Sequence, residues 1–288
     1  MTLGQALQQA TNIFNSNNIE DAHIEARTLL GYLLELSAAE LYTETKQNLD
    51  VEQKKNFRRL IERRLHREPT AYILNQKEFY GLDFYIDNRA LIPRPETELL
   101  IEEALKFSHS QGNCPALREK TLLAADIGTG CGNIAVCLAL KIANIEILAV
   151  DISSAALEVA RLNGERHKVT EKITFLHGNL LEPLNTPVNL IVANLPYIKS
   201  SELDTLKPEI VLFEPRTALD GGKEGLKWIS QLLTQAKKKM QPGGCLILEI
   251  GNEQEYSVVN LINQHIPNTT IELVSDLNNI KRIVKINI

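Results

Sequence analysis

Leu3, Ala6, Leu7, Ala10 and Phe14 recur at three- and four-residue intervals behind Thr2, which predicts an amphipathic helix with a hydroxyl N-cap. His23, Ala26, Arg27, Leu29, Leu30 and Leu33 continue that period and predict a second helix stopping near Ser37. A third helix is read over Ala38 to Thr43. A fourth runs from Val51 to about Arg67, ending before Pro69, because the residue preceding a proline is pushed out of the helical region. The simplest product is a small helical bundle. The period then changes. Glu78-Phe79-Tyr80, Gly81-Leu82 and Asp83-Phe84-Tyr85-Ile86 read as a β-hairpin with a glycine turn. Leu91-Ile92-Pro93-Arg94-Pro95 is a stiff extended segment, Glu96 opens a helix to about Phe107, and His109 to Lys120 reads as a polar loop.

From Thr121 the pattern alternates strand and helix. Strands are expected at Leu122–Asp126, Ile145–Val150, Ile173–Leu176, Leu190–Ala193 and Cys245–Ile250. Helices are expected between them at Gly132–Ile142, Ser154–His167 and Gly225–Met240, with another at Gln254–Gln264. Such alternation implies an α/β fold, a doubly wound and mostly parallel sheet covered on both faces. The last two strands, Thr270–Val274 and Arg282–Ile286, are joined through Asp276–Asn279, too short for a crossover, so they pair antiparallel. The expected organisation is a helical domain over residues 1–72, a hairpin and linker over 73–95, and the α/β domain over 96–288.

Composition narrows the function classes. In 288 residues, 44% hydrophobic and 23% charged content is ordinary for a globular protein. The richest apolar stretch, Ile134 to Val150, is interrupted by Lys141 and Glu146, so no membrane span is expected. The first residues are polar, without the basic start and apolar middle of a signal peptide, so the expected location is the cytoplasm. The formal charge of -5 argues against a long nucleic acid as the main target. Cys114, Cys131, Cys137 and Cys245 have neither the pairing nor the nearby histidines of a metal site, so no metal is expected.

Chemistry concentrates after three strands. Asp126-Ile127-Gly128-Thr129-Gly130-Cys131-Gly132 follows the first of them, and its glycines let the backbone turn tightly beside a ligand. A dinucleotide site wants its third glycine one residue later, where Asn133 stands. Asp151 ends the second strand about twenty residues on, the spacing of a ribose contact, and can equally cap the following helix. Asn194-Leu195-Pro196-Tyr197 follows Leu190-Ile191-Val192-Ala193. The Asn194 carbonyl and the Leu195 backbone carbonyl are two acceptors, Pro196 fixes the turn, and Tyr197 supplies a flat wall. That set suits a planar NH2 group that is a poor nucleophile and must be positioned to react.

This tetrapeptide resembles the (Asn/Asp)-Pro-Pro-(Tyr/Phe) element of amino-methyltransferases that use S-adenosylmethionine. The glycine loop is similar to theirs, and the order of elements resembles class I methyltransferases, with a seven-stranded sheet whose last strand is antiparallel. The resemblance implies S-adenosylmethionine as cofactor, held by Asp126, Gly128, Thr129, Gly130, Cys131, Gly132, Asp151, Asn179 and Asn194. Asp126 would hold the loop or reach the cofactor ammonium through water. Asn179, in His177-Gly178-Asn179-Leu180, stands where methyltransferases often carry an adenine-binding Asp.

Further segments resemble one family. Ile92-Pro93-Arg94-Pro95-Glu96-Thr97-Glu98 looks like its interdomain signature. Phe213-Glu214-Pro215-Arg216-Thr217-Ala218-Leu219, with Gly221-Gly222 and Gly225-Leu226, matches its post-motif loop, and Leu248-Glu249-Ile250-Gly251 with Gln254 its late strand. By these the chain resembles the HemK/PrmC family of release factor glutamine methyltransferases. That resemblance implies methylation of the glutamine amide in the Gly-Gly-Gln loop of class I peptide chain release factors. Asn194, Leu195, Pro196 and Tyr197 would then be both catalytic and substrate-binding, and the helical domain would help hold the release factor. Leu195 departs from the family's usual Pro, but the contact asked of it is a backbone carbonyl. The rival readings are a ribosomal-protein glutamine, a nucleic-acid base amino group, or a non-catalytic module. The arginines at 58, 59, 63, 64 and 67 read as a salt-bridged, solvated face, or else as a dock for the release factor. Glu249 reads as structural, Arg94 and Glu98 as shaping the pocket or tying the linker, and Trp228 as core or interface.

Overall fold

A computed structural model of the chain describes residues 1–112 and 121–288; Cys114 and most of the polar loop expected over 109–120 lie outside the described residues. The chain divides into two compact units. One comprises Met1–Gln76 together with Lys207–Phe213, the other Lys77–Leu206 with Glu214–Ile288.

The first unit is built on α1 (Leu3–Ser16), α2 (Ala22–Leu34), α3 (Ala38–Thr43), α4 (Val51–Leu65) and α5 (Thr70–Leu74). Thr2, Ser37 and Asp50 form capping boxes at the starts of α1, α3 and α4, so the orphan amides of each first turn are satisfied locally. The apolar stripes meet in one core containing Leu3, Phe14, Leu29, Leu30, Phe57 and Ile61. Helix α5 was not anticipated from sequence. Pro69 ends the preceding segment yet serves as the N-cap of a new turn, a position where its missing N–H costs nothing.

In the second unit, β1 (Lys77–Phe79) and β2 (Leu82–Phe84) form the expected hairpin. Tyr80 and Gly81 both have positive φ, 54° and 71°, as a tight hairpin turn of matching twist requires. Helix α6 (Glu98–Gly112) extends past His109, where a loop was expected. There follow β3 (Leu122–Ile127), α7 (Asn133–Lys141), β4 (Ile145–Asp151), α8 (Ser154–Arg166), β5 (Ile173–His177) and β6 (Val188–Ala193). Helix α9 (Pro208–Phe213) packs with the first unit, and α10 (Lys227–Lys239), β7 (Met240–Glu249), α11 (Glu255–His265), β8 (Thr270–Ser275) and β9 (Lys281–Asn287) complete the chain.

The seven strands lie in the order β5-β4-β3-β6-β7-β9-β8, with β9 antiparallel to both its neighbours and the rest parallel. Alternate residues feed opposite faces. Ala124, Leu190, Val192, Cys245 and Ile247 face a core shared with α6 and α7; Ala125, Ile191, Ala193, Leu246 and Leu248 face one shared with α10 and α11. The antiparallel pair is therefore β9 against β7 and β8, and the remaining architecture is the expected doubly wound sheet.

Candidate active site

Strand order reverses between β3 and β6, and at such a point the loops leaving the two carboxyl ends part and open a crevice. Because Ile127 pairs with Ala193, the glycine loop leaving β3 and the Asn194 segment leaving β6 start side by side. An open cavity lies there, lined among others by Gly128, Gly130, Asp151, Asn179, Asn194 and Leu195.

The glycine loop is held from two sides. The Gly128 and Thr129 amides donate to the Val150 carbonyl at 2.9 and 3.0 Å, and the Gly130 amide donates to Asp151 Oδ2 at 2.9 Å. Gly128 (φ 73°) and Gly130 (φ 55°) sit in the left-handed region. A Cβ on Gly128 would press on the Leu195 side chain at 3.3 Å, so a glycine is needed both for conformation and for contact. Asp151 Oδ1 accepts from the Ser153 amide at 2.8 Å, so the strand-end carboxylate braces the loop, starts the next turn and lines the cavity at once. Burial pushes its pKa up.

Asp126 is fully buried beneath the loop. Its Oδ2 accepts from the Thr129 hydroxyl at 2.6 Å and the Ala135 amide at 3.1 Å, and its Oδ1 has no hydrogen-bond partner among the described residues. Burial raises its pKa to about 7. Since the native carboxyl then holds its proton over a pH range where the unfolded one has lost it, this group's contribution to stability falls as pH rises from about 4 to about 7. We expect Asp126→Asn to flatten that part of the pH–Tm curve. An unaltered slope in thermal melts from pH 5 to 8 would show that Asp126 is not its source.

The Asn194-Leu195-Pro196-Tyr197 segment is fastened to the chain around Gly221. The Ile198 amide donates to the Leu219 carbonyl at 3.1 Å, and the Gly221 amide to the Ile198 carbonyl at 2.8 Å. A Cβ on Gly221 would lie 2.8 Å from the Pro196 carbonyl, and one on Gly225 would lie 2.3 Å from that of Tyr197. The glycines of the post-motif loop thus permit backbone-to-backbone approach that any side chain would block. Gln254 Nε2 donates to the Tyr197 carbonyl at 3.0 Å while its Oε1 accepts from the Gly251 amide at 2.9 Å. Glu214, also buried, accepts from the Ile92 amide at 3.2 Å and from Arg94 Nη2 at 2.5 Å. Arg94 therefore ties the linker to the post-motif loop. Glu98 likewise braces the hairpin, accepting from the Tyr80 amide at 2.9 Å.

Behind Asn194 runs a polar chain. Asn194 Nδ2 donates to Thr97 Oγ1 at 3.0 Å, and the Thr97 hydroxyl donates to Glu249 Oε2 at 2.7 Å. The Tyr197 hydroxyl lies 3.4 Å from Glu249 Oε1. Thr97 and Glu249 are buried. Burial raises the Glu249 pKa to about 7 and, with Glu249 beside it, that of the Tyr197 phenol further still.

Of the expected site residues, Gly128, Gly130, Asp151, Asn179, Asn194, Leu195 and Pro196 line the cavity. Asp126, Thr129 and Cys131 are buried under the loop, Gly132 packs against Ala160, and Tyr197 turns toward Glu249. Burial raises the Cys131 thiol to about 12, so it is a neutral packing group. Asn179 uses its amide on Glu182 at 3.0 Å. Further lining residues were not anticipated. Arg89 and Ala90 arrive from the linker, Ile152 and Ser153 from the turn after β4, and Trp228 from α10. Trp228, read from sequence as core or interface, is a cavity wall whose indole N–H is anchored on the Asp220 carbonyl at 2.9 Å. Only its nearness to the Gly221–Gly225 loop could have hinted at this. Asn163 was missed altogether. It grips the Tyr85 backbone through both its N–H and carbonyl and the Cys131 carbonyl at 2.8 Å, coupling hairpin exit to glycine loop. The described residues contain no cluster of metal-ligating side chains, and none of their helices is long and apolar enough to cross a membrane.

Residues 5–74 match the model of the PrmC N-terminal domain, and 114–223 that of the methyltransferase small domain. The chain is 35% identical over 264 residues to the release factor glutamine methyltransferase of Geobacter sulfurreducens, spanning 91% of this chain and 89% of the relative. With that of Koribacter versatilis it shares 34% over 287 residues, 99% and 98% of the two chains. Among solved structures, the hMettl16 catalytic domain bound to the MAT2A 3'UTR hairpin 6 superposes with a TM-score of 0.56 at 16% identity. It covers 72% of this chain and 76% of that one, a likeness of fold alone.

Proposed function

Because the chain belongs to the release factor glutamine methyltransferase family, we propose that it methylates the side-chain amide nitrogen of the glutamine in the Gly-Gly-Gln motif of class I peptide chain release factors, with S-adenosylmethionine as methyl donor. The observation that carries this reading is the juxtaposition of Asn194 with the glycine loop in one cavity. The donor fits the residues present. Gly128 and Gly130 line the cavity in the left-handed region, Asp151 offers a strand-end carboxylate, and Ile152, Ala156 and Leu180 give an apolar wall for an adenine. Asp126 acts from beneath by holding the loop.

S-adenosylmethionine supplies an electrophilic methyl group on a sulfonium. The protein's part is to orient an amide whose nitrogen lone pair is delocalised and therefore weakly nucleophilic. Asn194 Oδ1 and the Leu195 carbonyl accept the two N–H bonds of the glutamine amide, fixing its plane and drawing electron density toward nitrogen. Leu195 serves as well as proline here, since its side chain is buried against Gly128 and only its backbone is asked to act. Fixing two partners in reacting geometry supplies several kcal/mol of the barrier reduction. Trp228 and Pro196 are walls of the cavity. The N-terminal unit is assigned to docking the release factor.

Purified protein supplied with methyl-labelled S-adenosylmethionine is expected to label a release factor and to leave its Gln-to-Ala variant unlabelled. Equal labelling of the variant, or labelling of a ribosomal protein or nucleic acid alone, would overturn the substrate assignment.

A further inference from the structure

We propose that Thr97 and Glu249 are positioning residues that hold the Asn194 carboxamide in one orientation, Oδ1 toward the substrate amide, and that the ionised form of Glu249 enforces that orientation. This rests on the functional reading above and asks what makes the same site directional. An Asn side chain is nearly symmetric in shape, and rotating it by half a turn exchanges an acceptor for a donor. Facing a glutamine NH2, the flipped form would set donor against donor. Something must break the symmetry, and the hydrogen-bond chain does so. An ionised carboxylate can only accept, so the Thr97 hydroxyl must give its single proton to Glu249 Oε2 at 2.7 Å. The Thr97 oxygen is then left with lone pairs only, and it accepts from Asn194 Nδ2 at 3.0 Å. With its NH2 so engaged, Asn194, which lines the cavity, has its carbonyl left for the substrate amide.

The placement follows from the fold. Ala193 pairs with Leu248 across β6 and β7, so Asn194 and Glu249 leave adjacent strand ends. Thr97 comes from the turn following the linker. A neutral Glu249 could instead donate to Thr97, which could then donate to Asn194 Oδ1 and hold the unproductive rotamer. Burial disfavours its charge most, the Thr97 and Tyr197 hydroxyls favour it, Glu96 disfavours it, and Arg282 on β9 favours it. Arg94 stands near Tyr197. With a midpoint near pH 7, the switch falls where the enzyme would be assayed. As pH falls through that midpoint, the productive rotamer is lost.

The test uses the full chain with a release factor substrate. Thr97→Val, which keeps shape and removes the hydroxyl, is expected to lower kcat by about tenfold while the KM for release factor and the Kd for S-adenosylmethionine stay within about twofold. Thr97→Ser should restore most of the loss. Wild-type kcat should fall on acidification below about pH 7, and Glu249→Gln should be slower and flat across that range. Independently of turnover, the Asn194 side-chain NH2 signal in 15N NMR should titrate in the wild type and cease to do so in Glu249→Gln. Wild-type kcat in Thr97→Val, or an Asn194 signal whose titration persists in Glu249→Gln, would overturn the proposal. Should Thr97→Val not fold, the NMR comparison decides alone. Absence of methyl transfer by the wild type would refute the functional reading, whereas an active wild type with indifferent variants refutes only the positioning network.

Discussion

Asn194→Ala is expected to lower kcat for release factor methylation by about 100- to 1000-fold, with S-adenosylmethionine bound nearly as tightly as before. The magnitude follows from what is removed. The alanine variant loses the side-chain acceptor that the end of β6 delivers to the cavity. It also leaves the Thr97 hydroxyl without its donor partner, though Glu249 still occupies its proton. Cofactor affinity should persist because the glycine loop, Asp151 and the walls from Ile152 and Leu180 are independent of Asn194. Single-turnover rates with calorimetric binding separate the two. A variant that binds S-adenosylmethionine many-fold more weakly, yet turns over normally once saturated, would make Asn194 chiefly a cofactor contact.

Arg64→Ala should lower stability by about 3 kcal/mol, far more than any other arginine of α4. Arg64 is 5% exposed, and its guanidinium forks to Glu25 at 3.2 Å and to Glu209 of α9 at 3.0 Å. Removing it leaves two largely covered carboxylates facing each other, with only Arg67 at 3.3 Å to compensate Glu209. Against its burial, a backbone amide together with Arg64 and Arg67 holds Glu209's pKa below the ordinary value. Arg64→Lys should recover only part of the loss, because one ammonium cannot reproduce the planar fork. Arg58→Ala, at an exposed position, should change stability by less than about 0.5 kcal/mol. Urea unfolding of the three variants, with hydrogen exchange read in α4 and α9, checks the ranking. Equal effects of Arg58→Ala and Arg64→Ala would mean the pair contributes nothing beyond surface charge.

The arginine run shows where sequence reading stops. The arginines at 58, 59, 63, 64 and 67 read as a salt-bridged, solvated face or as a dock; Arg58 and Arg59 are exposed, and Arg63, Arg64 and Arg67 are ion-paired. Arg64 is buried because its partner sits 145 residues away on a six-residue helix with no apolar period of its own. Helix α5, which has no side-chain N-cap, and the six-residue α9 were both missed, whereas the equally short α3 was read over its full range.

The chain by itself determined every element whose residues answer to their near neighbours. Capped helices, the Tyr80-Gly81 turn, the alternation of buried strands and the glycine loop were all legible, because caps, φ and periodicity are local. It also placed Asn194 at a strand end with a carbonyl to offer. Tertiary structure alone decided which way that carbonyl faces. The partners that fix it, Thr97 and Glu249, lie 97 and 152 residues apart from those they bind. Trp228 took a place in the cavity wall, the Tyr197 hydroxyl settled 3.4 Å from Glu249, and Asp126 holds the loop from beneath, one of the two roles its position offered. The reason is physical: a hydrogen bond or a wall depends on which strand ends are neighbours, and strand order is settled by how two faces of one sheet are covered, not by any segment alone.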